Sequence, residues 1–357
     1  MSGKQSSKTA GLIVGLILII VLVLLTNYLS NHPKVHKALE YPLWAAVLGL
    51  IANIILTATR TKDFIMPAVK TEFFLKIGLV LLGLKVNLVE IGVVGGKGIV
   101  QALIMVTCVF LFTYWLGGAF KLDEKTRAVM STAISICGVS AAIAAAGSVL
   151  AGKEELTYVI ALIIFTALPL MVLMPYLALA WNLPVQVAGA WFGGNIDTTA
   201  AVVGAGTIHS EAAMKVASIV KMSQNALIGV VAFILALYFA TVVERRTGGT
   251  GERPSARVIW DRFPKFVIGF ILTSALVSLG LLSKQRLGVD VVKLAGNFRE
   301  WFFALAFVCI GLELNFGEFK KLGFRPTVVY LIATIFNTAL ALGVAYLVFG
   351  GILFPAG

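Results

Sequence analysis

Trp191-Phe192-Gly193-Gly194-Asn195-Ile196-Asp197-Thr198-Thr199 lies inside an apolar stretch, Val185 to Ile208, long enough to cross a bilayer. The adjacent glycines weaken a helix there. Asn195, Asp197, Thr198 and Thr199 set oxygens beside the backbone groups that a break would free. An intramembrane ionisable residue costs about 2.5–3.5 kcal/mol on insertion scales, so Asp197 needs a reason. Irregular backbone at membrane depth is tolerated only where it is buried in protein or lines a watery cavity. The segment is therefore read as a discontinuous helix carrying an ion or substrate site, with Gly194, Thr198 and Thr199 toward substrate and Asn195 and Asp197 toward a coupling ion. The plainer alternative is a polar joint between helices, or an N-cap at the membrane surface with Asp197 capping Thr199 onward.

Two other segments share this character. In Ser135-Ile136-Cys137-Gly138-Val139-Ser140 a glycine amid small hydroxyls could expose the N-terminus of a half-helix starting near Val139, whose free N–H groups and dipole favour an anion. Small-residue helix packing produces such runs as well. In Ser218-Ile219-Val220-Lys221-Met222-Ser223-Gln224-Asn225, the residues Ser218, Lys221 and Asn225 fall on one helical face. Facing a cavity, Lys221 would attract an anion; the alternative is that Ala226 to Val243 spans alone and Lys221 snorkels at the interface.

Composition sets these segments in a membrane. Of 357 residues, 59% are apolar or aromatic and 13% charged, against roughly 45–50% and about 25% in soluble domains. That excludes a soluble enzyme, a disordered chain and a disulfide scaffold. The net charge of +12 does not indicate nucleic acid, because no loop interleaves basic and aromatic residues as base stacking requires. Cys108, Cys137 and Cys309 lie in apolar stretches without metal-ligand spacing. With no Walker motif, no HExxH and no intramembrane carboxylate pair to hold a metal, neither ATP-driven pumping nor enzymatic activity is expected, and no cofactor is.

Apolar stretches run Gly11 to Leu29, Pro42 to Thr59, Phe73 to Leu88, Gly98 to Phe120, Ala128 to Gly152, Leu156 to Trp181, Val185 to Ile208, Ala212 to Val243, Phe266 to Leu282, Trp301 to Phe316 and Thr327 to Leu353. The first is read as a retained span, since no small-x-small cleavage pattern follows it. Phe73 to Leu88 and Trp301 to Phe316 are short, so ten or eleven transmembrane helices are expected in an all-α polytopic membrane protein. Loop Lys and Arg are more numerous on the N-terminal side, around Arg60 to Lys70, Lys121 to Arg127, Arg245 to Lys265 and Lys320 to Arg325, than among Lys34, Lys37, Lys97, Lys153, Lys215 and Lys284 to Arg299. The bias places the N-terminus in the cytoplasm. The organisation expected is an extra N-terminal helix and loop over 1–40, a first bundle over 41–243, a flexible cytoplasmic linker over 244–264, and a second helical segment over 265–357.

Two internal echoes are present. A shift of 228 residues lays Phe74 on Phe302, Gly83 on Gly311, Leu84 on Leu312, Asn87 on Asn315 and Glu90 on Glu318. An odd number of spans separates the copies, so they would run in opposite directions, the mark of an inverted repeat. Lys85 and Glu313 sit near the ends of the two short stretches, where snorkelling is the default, and their equivalent positions with opposite charge offer a pair across a pseudo-twofold axis as the alternative. A shift of 59 lays Ser140 to Ser148 on Thr199 to Thr207, a match that small-residue composition can also produce.

Leu75-Lys76-Ile77-Gly78-Leu79-Val80-Leu81-Leu82-Gly83-Leu84-Lys85-Val86, Ser135-Ile136-Cys137-Gly138, the glycine-opened run Gly193 to Gly206 and Val220-Lys221-Met222 together resemble the signatures of the sulfate exporter family of bacterial multi-pass membrane proteins. The likeness runs from about Tyr41 to the C-terminus. One departure is that many relatives carry a His-acidic pair and a Gln where this chain has Asp197-Thr198 and Ala201. The resemblance implies a secondary transporter related to the cation/proton antiporter superfamily, with discontinuous helices crossing in a core domain, in a bacterial inner membrane. The expectation is an ion-coupled exporter of a small anion such as sulfate, sulfite or a sulfonate. The anion would be held by Ser135, Cys137, Gly138, Val139, Ser140, Gly194, Thr198, Thr199, Lys221 and Asn225, with H+ or Na+ on Asn195 and Asp197. The competing expectation is a sodium/proton antiporter with Asp197 as carrier. Expected partners are the small anion, the lipid bilayer and, as one option, a second copy in a homodimer.

Overall fold

The computed structural model describes residues 2–31, 41–243, 255, 257–281, 291–314 and 323–354. In chain order the helices are α1 (Ser2–Asn31), α2 (Tyr41–Ala58), α3 (Lys62–Ile65), α4 (Thr71–Leu82), α5 (Leu88–Ala119), α6 (Glu124–Ser135), α7 (Val139–Val149), α8 (Lys153–Ala180), α9 (Val185–Asn195), α10 (Thr199–His209), α11 (Glu211–Asn225), α12 (Ile228–Tyr238), α13 (Arg257–Arg262), α14 (Phe266–Ser278), α15 (Val291–Glu313) and α16 (Phe324–Phe349). Among the described residues no strand occurs, consistent with a bilayer solvent in which a helix satisfies its own backbone. Among the described residues seven segments are long and apolar enough to cross a membrane: α1, α2, α5, α8, α11 continued through α12, α15 and α16.

The two expected helix breaks are present, and two other elements differ from expectation. The stretches 128–152 and 185–208 are each two half-helices, α6–α7 and α9–α10, broken at Gly138 and at Asp197. The short stretch expected from Trp301 is the end of a longer helix that starts at Val291. Helix α5 begins ten residues before Gly98, because Asn87 caps it by accepting from the Val89 N–H at 2.8 Å. Lys97 is therefore not a loop residue; it is buried in α5 with its ammonium 5.9 Å from the Phe349 ring centre.

The helices form two bundles that do not follow chain order. Helices α5 to α12 and α16 share one apolar core, around Met105, Val129, Phe192 and Tyr330. Helices α1 to α4, α14 and α15 share another, around Leu79, Phe270, Phe303 and Phe307. The division at 243 and 265 is corrected accordingly: α2 to α4 belong with α14 and α15, and α16 returns to the first bundle. The expected linker also changes. Residues 244–254 lie outside the described ones, but 257–262 form α13, whose Ile259 backbone sits against Gly229 so closely that a Cβ there would be 2.4 Å from the Ile259 oxygen.

The two segments of the longer echo pack against each other, and they are antiparallel. Thr71 Oγ1 donates to Glu313 Oε1 at 2.6 Å, Gly78 faces the Phe303 ring, and Lys85 reaches Gly296. Rising numbers along α4 thus meet falling numbers along α15. Each echo glycine also admits the helix that precedes the other copy: a Cβ on Gly83 would lie 2.3 Å from Phe270 O of α14, and one on Gly311 2.3 Å from Ala46 O of α2. The carbonyls of Val86 and Leu314, again equivalent positions, are taken by Ser274 Oγ (2.6 Å) of α14 and Asn53 Nδ2 (2.6 Å) of α2, the same crossed pattern. Asn315 and Glu318 of the echo, and Lys34, Lys37, Lys284, Arg286, Lys320 and Lys321 of the loop charges, lie outside the described residues.

Candidate functional site

The two helix breaks meet. Gly138 takes φ +65°, and a Cβ there would lie 2.7 Å from Ile163 Cγ2 and 3.2 Å from the Asp197 carbonyl oxygen. Only glycine suits this position, for backbone and for space. On one side of the crossing the C-termini of α6 and α9 come together. Asn337 Nδ2 spans them, donating to Ile134 O at 3.4 Å and Asn195 O at 3.0 Å. Gln224 Nε2 spans them again, to Ser135 O at 2.8 Å and Gly194 O at 3.4 Å. Lys221 Nζ donates to Ile136 O at 2.5 Å and Gln224 Oε1 at 2.9 Å.

Helix C-termini carry about half a negative charge each from unpaired carbonyls. Two of them facing one another inside a membrane call for a cation and amide donors. Lys221, fully buried, supplies the charge. It neither snorkels nor borders open space.

On the other side the N-termini of α7 and α10 open into one cavity of about 500 Å³. Cys137, Val139, Ser140, Thr198, Thr199 and Asn225 line it there. Gly138 caps α7 without a side chain, and Thr198 Oγ1 accepts from Ala201 N–H at 3.2 Å. Asn225 Nδ2 donates to Thr199 Oγ1 at 3.2 Å, while Asn225 Oδ1 is buried without a partner. Residues Ser140 to Ser148 and Thr199 to Thr207 of the shorter echo are these two half-helices. The first turns of two helices, with their positive dipole ends, share the cavity and form an anion-favouring wall. The wall opposite comes from the second bundle: Thr71, Glu72, Lys76 and Glu313, with Asp261 and Lys265 at one edge. Glu72 reaches across to Ser140 Oγ at 2.6 Å and pairs with Lys76 at 2.7 Å.

The residues singled out from sequence therefore divide. Cys137, Val139, Ser140, Thr198, Thr199 and Asn225 line the cavity; Ser135, Gly194, Asn195, Asp197 and Lys221 are not among its lining residues. Asn195 is engaged with Thr338 Oγ1 (3.2 Å) and Met174 sulfur (3.0 Å). Asp197 accepts from Tyr330 OH at 2.5 Å, 99% buried, with the Lys221 charge acting on it through the crossing. The Lys85–Glu313 pairing is corrected. In an antiparallel pair of helices, equivalent positions fall at opposite ends, so Glu313 sits at the cavity end with Thr71. Lys85 sits at the far end, 3.4 Å from Glu211 of the first bundle, which also meets Arg299 at 3.3 Å.

Sequence reading missed Gln224, Tyr330, Asn337, Glu72 and Arg299. Asn337 and Thr338 within the apolar stretch 327–353 were a usable signal, since an amide at membrane depth needs partners. Lys62 lies outside the spans and caps α15 by donating to Leu314 O at 2.6 Å; burial holds its ammonium below the usual lysine range.

Residues 14–330 match the family model described as Conserved hypothetical protein 698. The chain belongs to this family. It is similar to the UPF0324 membrane protein RB9488 of Rhodopirellula baltica, at 42% identity over 320 residues covering 87% of this chain and 58% of that one. A UPF0324 membrane protein of Nitratidesulfovibrio vulgaris is 42% identical over 325 residues, covering 87% and 55%. UPF0324 membrane protein NE0724 of Nitrosomonas europaea is 31% identical over 344 residues, covering 88% and 69%. The chain thus spans less than two thirds of the length of the first two. No solved structure matches it.

Proposed function

We propose that this membrane protein is an ion-coupled secondary transporter of a small anion, sulfate, sulfite or a sulfonate, working by alternating access. The observation that carries the reading is the pair of half-helix N-termini opening into one cavity between two bundles. Broken helices at a repeat interface are how secondary transporters build midplane ion sites. The antiparallel α4 and α15, each seating on an equivalent glycine the helix that precedes the other, support an inverted repeat. Counting α6–α7 and α9–α10 as one crossing each, with α4 and α14 added to the seven long segments, gives eleven crossings.

In this reading the anion rests on the first turns of α7 and α10, with Ser140, Thr198, Thr199 and Asn225 around it. Lys221 acts from behind, holding the crossing together. Asp197, beside Tyr330 and Lys221, is the carrier of coupling H+ or Na+. Export, with the N-terminus in the cytoplasm of an inner membrane, is the direction we propose, as the resemblance and the loop charges imply. The chain holds no cofactor and performs no covalent chemistry in this scheme, and a homodimer is a compatible assembly.

A second reading, sodium/proton antiport on Asp197 without an anion, draws on the burial of Asp197 near Lys221. Uptake and counterflow of labelled sulfate and sulfite in proteoliposomes, with and without imposed pH and sodium gradients, separates the two. Anion flux that responds to a gradient and falls in Thr199→Val and Asp197→Asn supports the exporter. Sodium-driven proton movement indifferent to anion would refute it in favour of the antiporter.

A further inference from the structure

The end of the α4–α15 pair away from the cavity carries a cluster that the transport cycle above does not use. Glu211 opens α11 in the first bundle, while Lys85 and Arg299 belong to the second. One oxygen, Glu211 Oε1, serves both cations: Lys85 Nζ at 3.4 Å and Arg299 Nη1 at 3.3 Å. Arg299 Nη2 meets Glu300 at 3.3 Å. Arg299 is 96% buried, and its Nε has no hydrogen-bond partner. A guanidinium brings five donors and an ammonium three, and two carboxylate oxygens in contact leave donors over. A buried charged donor without a partner is costly, and an oxyanion that accepted from it would recover that cost.

Position adds to this. Equivalent sites of the longer echo put Thr71 and Glu313 at the cavity end, and Arg299 and Lys85 at the opposite end. The second bundle thus offers an acid beside the cavity and two bases at the far face. The side chain bridging those bases is about half exposed and comes from the other bundle. A carboxylate is the nearest side-chain mimic of a small oxyanion: planar rather than tetrahedral, but with charged oxygens that accept from the same fork.

We propose that Lys85 and Arg299 form a second site for a small oxyanion, occupied in this state by the Glu211 carboxylate. Glu211 holds the two bundles together on this face, and an arriving or departing anion displaces it, taking the Arg299 fork including Nε. Gate and ligand then compete for the same two cations, so anion binding here and opening of this face are one event. The inference rests on the anion-transport reading for its role in a cycle, but the site itself is testable by binding alone.

The test is sulfate titration of the purified full chain in detergent, read by thermal shift, with chloride at matched ionic strength as the control. Glu211→Gln removes the competitor's charge and should bind sulfate at least ten-fold more tightly than the parent. Glu211→Gln combined with Arg299→Met, and separately with Lys85→Gln, should lose that gain. The Lys85 variant changes a residue 28% exposed and keeps the readout available if Arg299→Met does not fold. Sulfate affinity in Glu211→Gln no higher than in the parent, or a gain that persists in the Lys85 double variant, overturns the proposal. A parent without sulfate counterflow in proteoliposomes, alongside tight binding by Glu211→Gln, would sink the transport reading and leave this site standing.

Discussion

Replacing Lys221 by Met separates two roles that a buried lysine in a transporter can have. The ammonium lies 2.5 Å from Ile136 O, at a helix end carrying about half a negative charge. At an effective dielectric near 20 that contact is worth about 3 kcal/mol. The charge-assisted bond to Gln224 adds about 1.5–3 kcal/mol. Methionine is of similar length and recovers the cost of keeping a charge out of water, which offsets part of the loss. The expected net destabilisation is ~2–4 kcal/mol, since the carbonyls left behind are buried and have no water to turn to. It should appear as a fall of several degrees in the unfolding midpoint in detergent, followed by tryptophan emission. Trp191 is a suitable reporter, being buried and bonded through Nε1 to Thr338 O at 3.0 Å, one turn from the crossing. Were Lys221 a direct anion ligand instead, the variant would keep or raise its midpoint and lose only sulfate flux. A midpoint equal to the parent's would refute the assignment of Lys221 to the helix ends.

Asn337→Ala should cost ~1–3 kcal/mol by the same detergent assay, and its effect should be non-additive with Gln224→Ala, because both amides span the same two helix ends. Gly138→Ala should cost ~2 kcal/mol or more, through both positive φ and contact with Ile163, whereas Gly96→Ala, with open space around it, should leave the midpoint unchanged. Gly311→Ala should separate α2 from α15 and lower both expression and midpoint, measured by fluorescence-detected size exclusion. Tyr330→Phe removes the 2.5 Å bond to Asp197; it should shift the pH dependence of transport while leaving sulfate affinity within about two-fold, and an unchanged pH profile would count against Asp197 as carrier.

Local chemistry makes much of this protein legible in its sequence. Hydrophobic run length reports the membrane, because the bilayer imposes a length that a chain must meet residue by residue. Breaks at Gly138 and around Asp197 are visible because glycines weaken the helix there while hydroxyl, amide and carboxylate oxygens stand ready for the freed backbone groups. The echo at a shift of 228 locates two helices that do pack together. What residue type cannot say is which way a polar group faces. Lys221 and Asn225 share a helical face and yet serve opposite poles of the crossing, one at the helix C-termini and the other at the cavity. Lys85 and Glu313 occupy equivalent places in the repeat, and only the antiparallel packing of α4 on α15 sends them to opposite ends. Partners from distant sequence, Asn337 to Ile134 or Tyr330 to Asp197, depend on α16 returning to the first bundle. Burial of backbone groups is a local demand that sequence records; the donor that meets it is chosen by whichever helix the fold brings alongside.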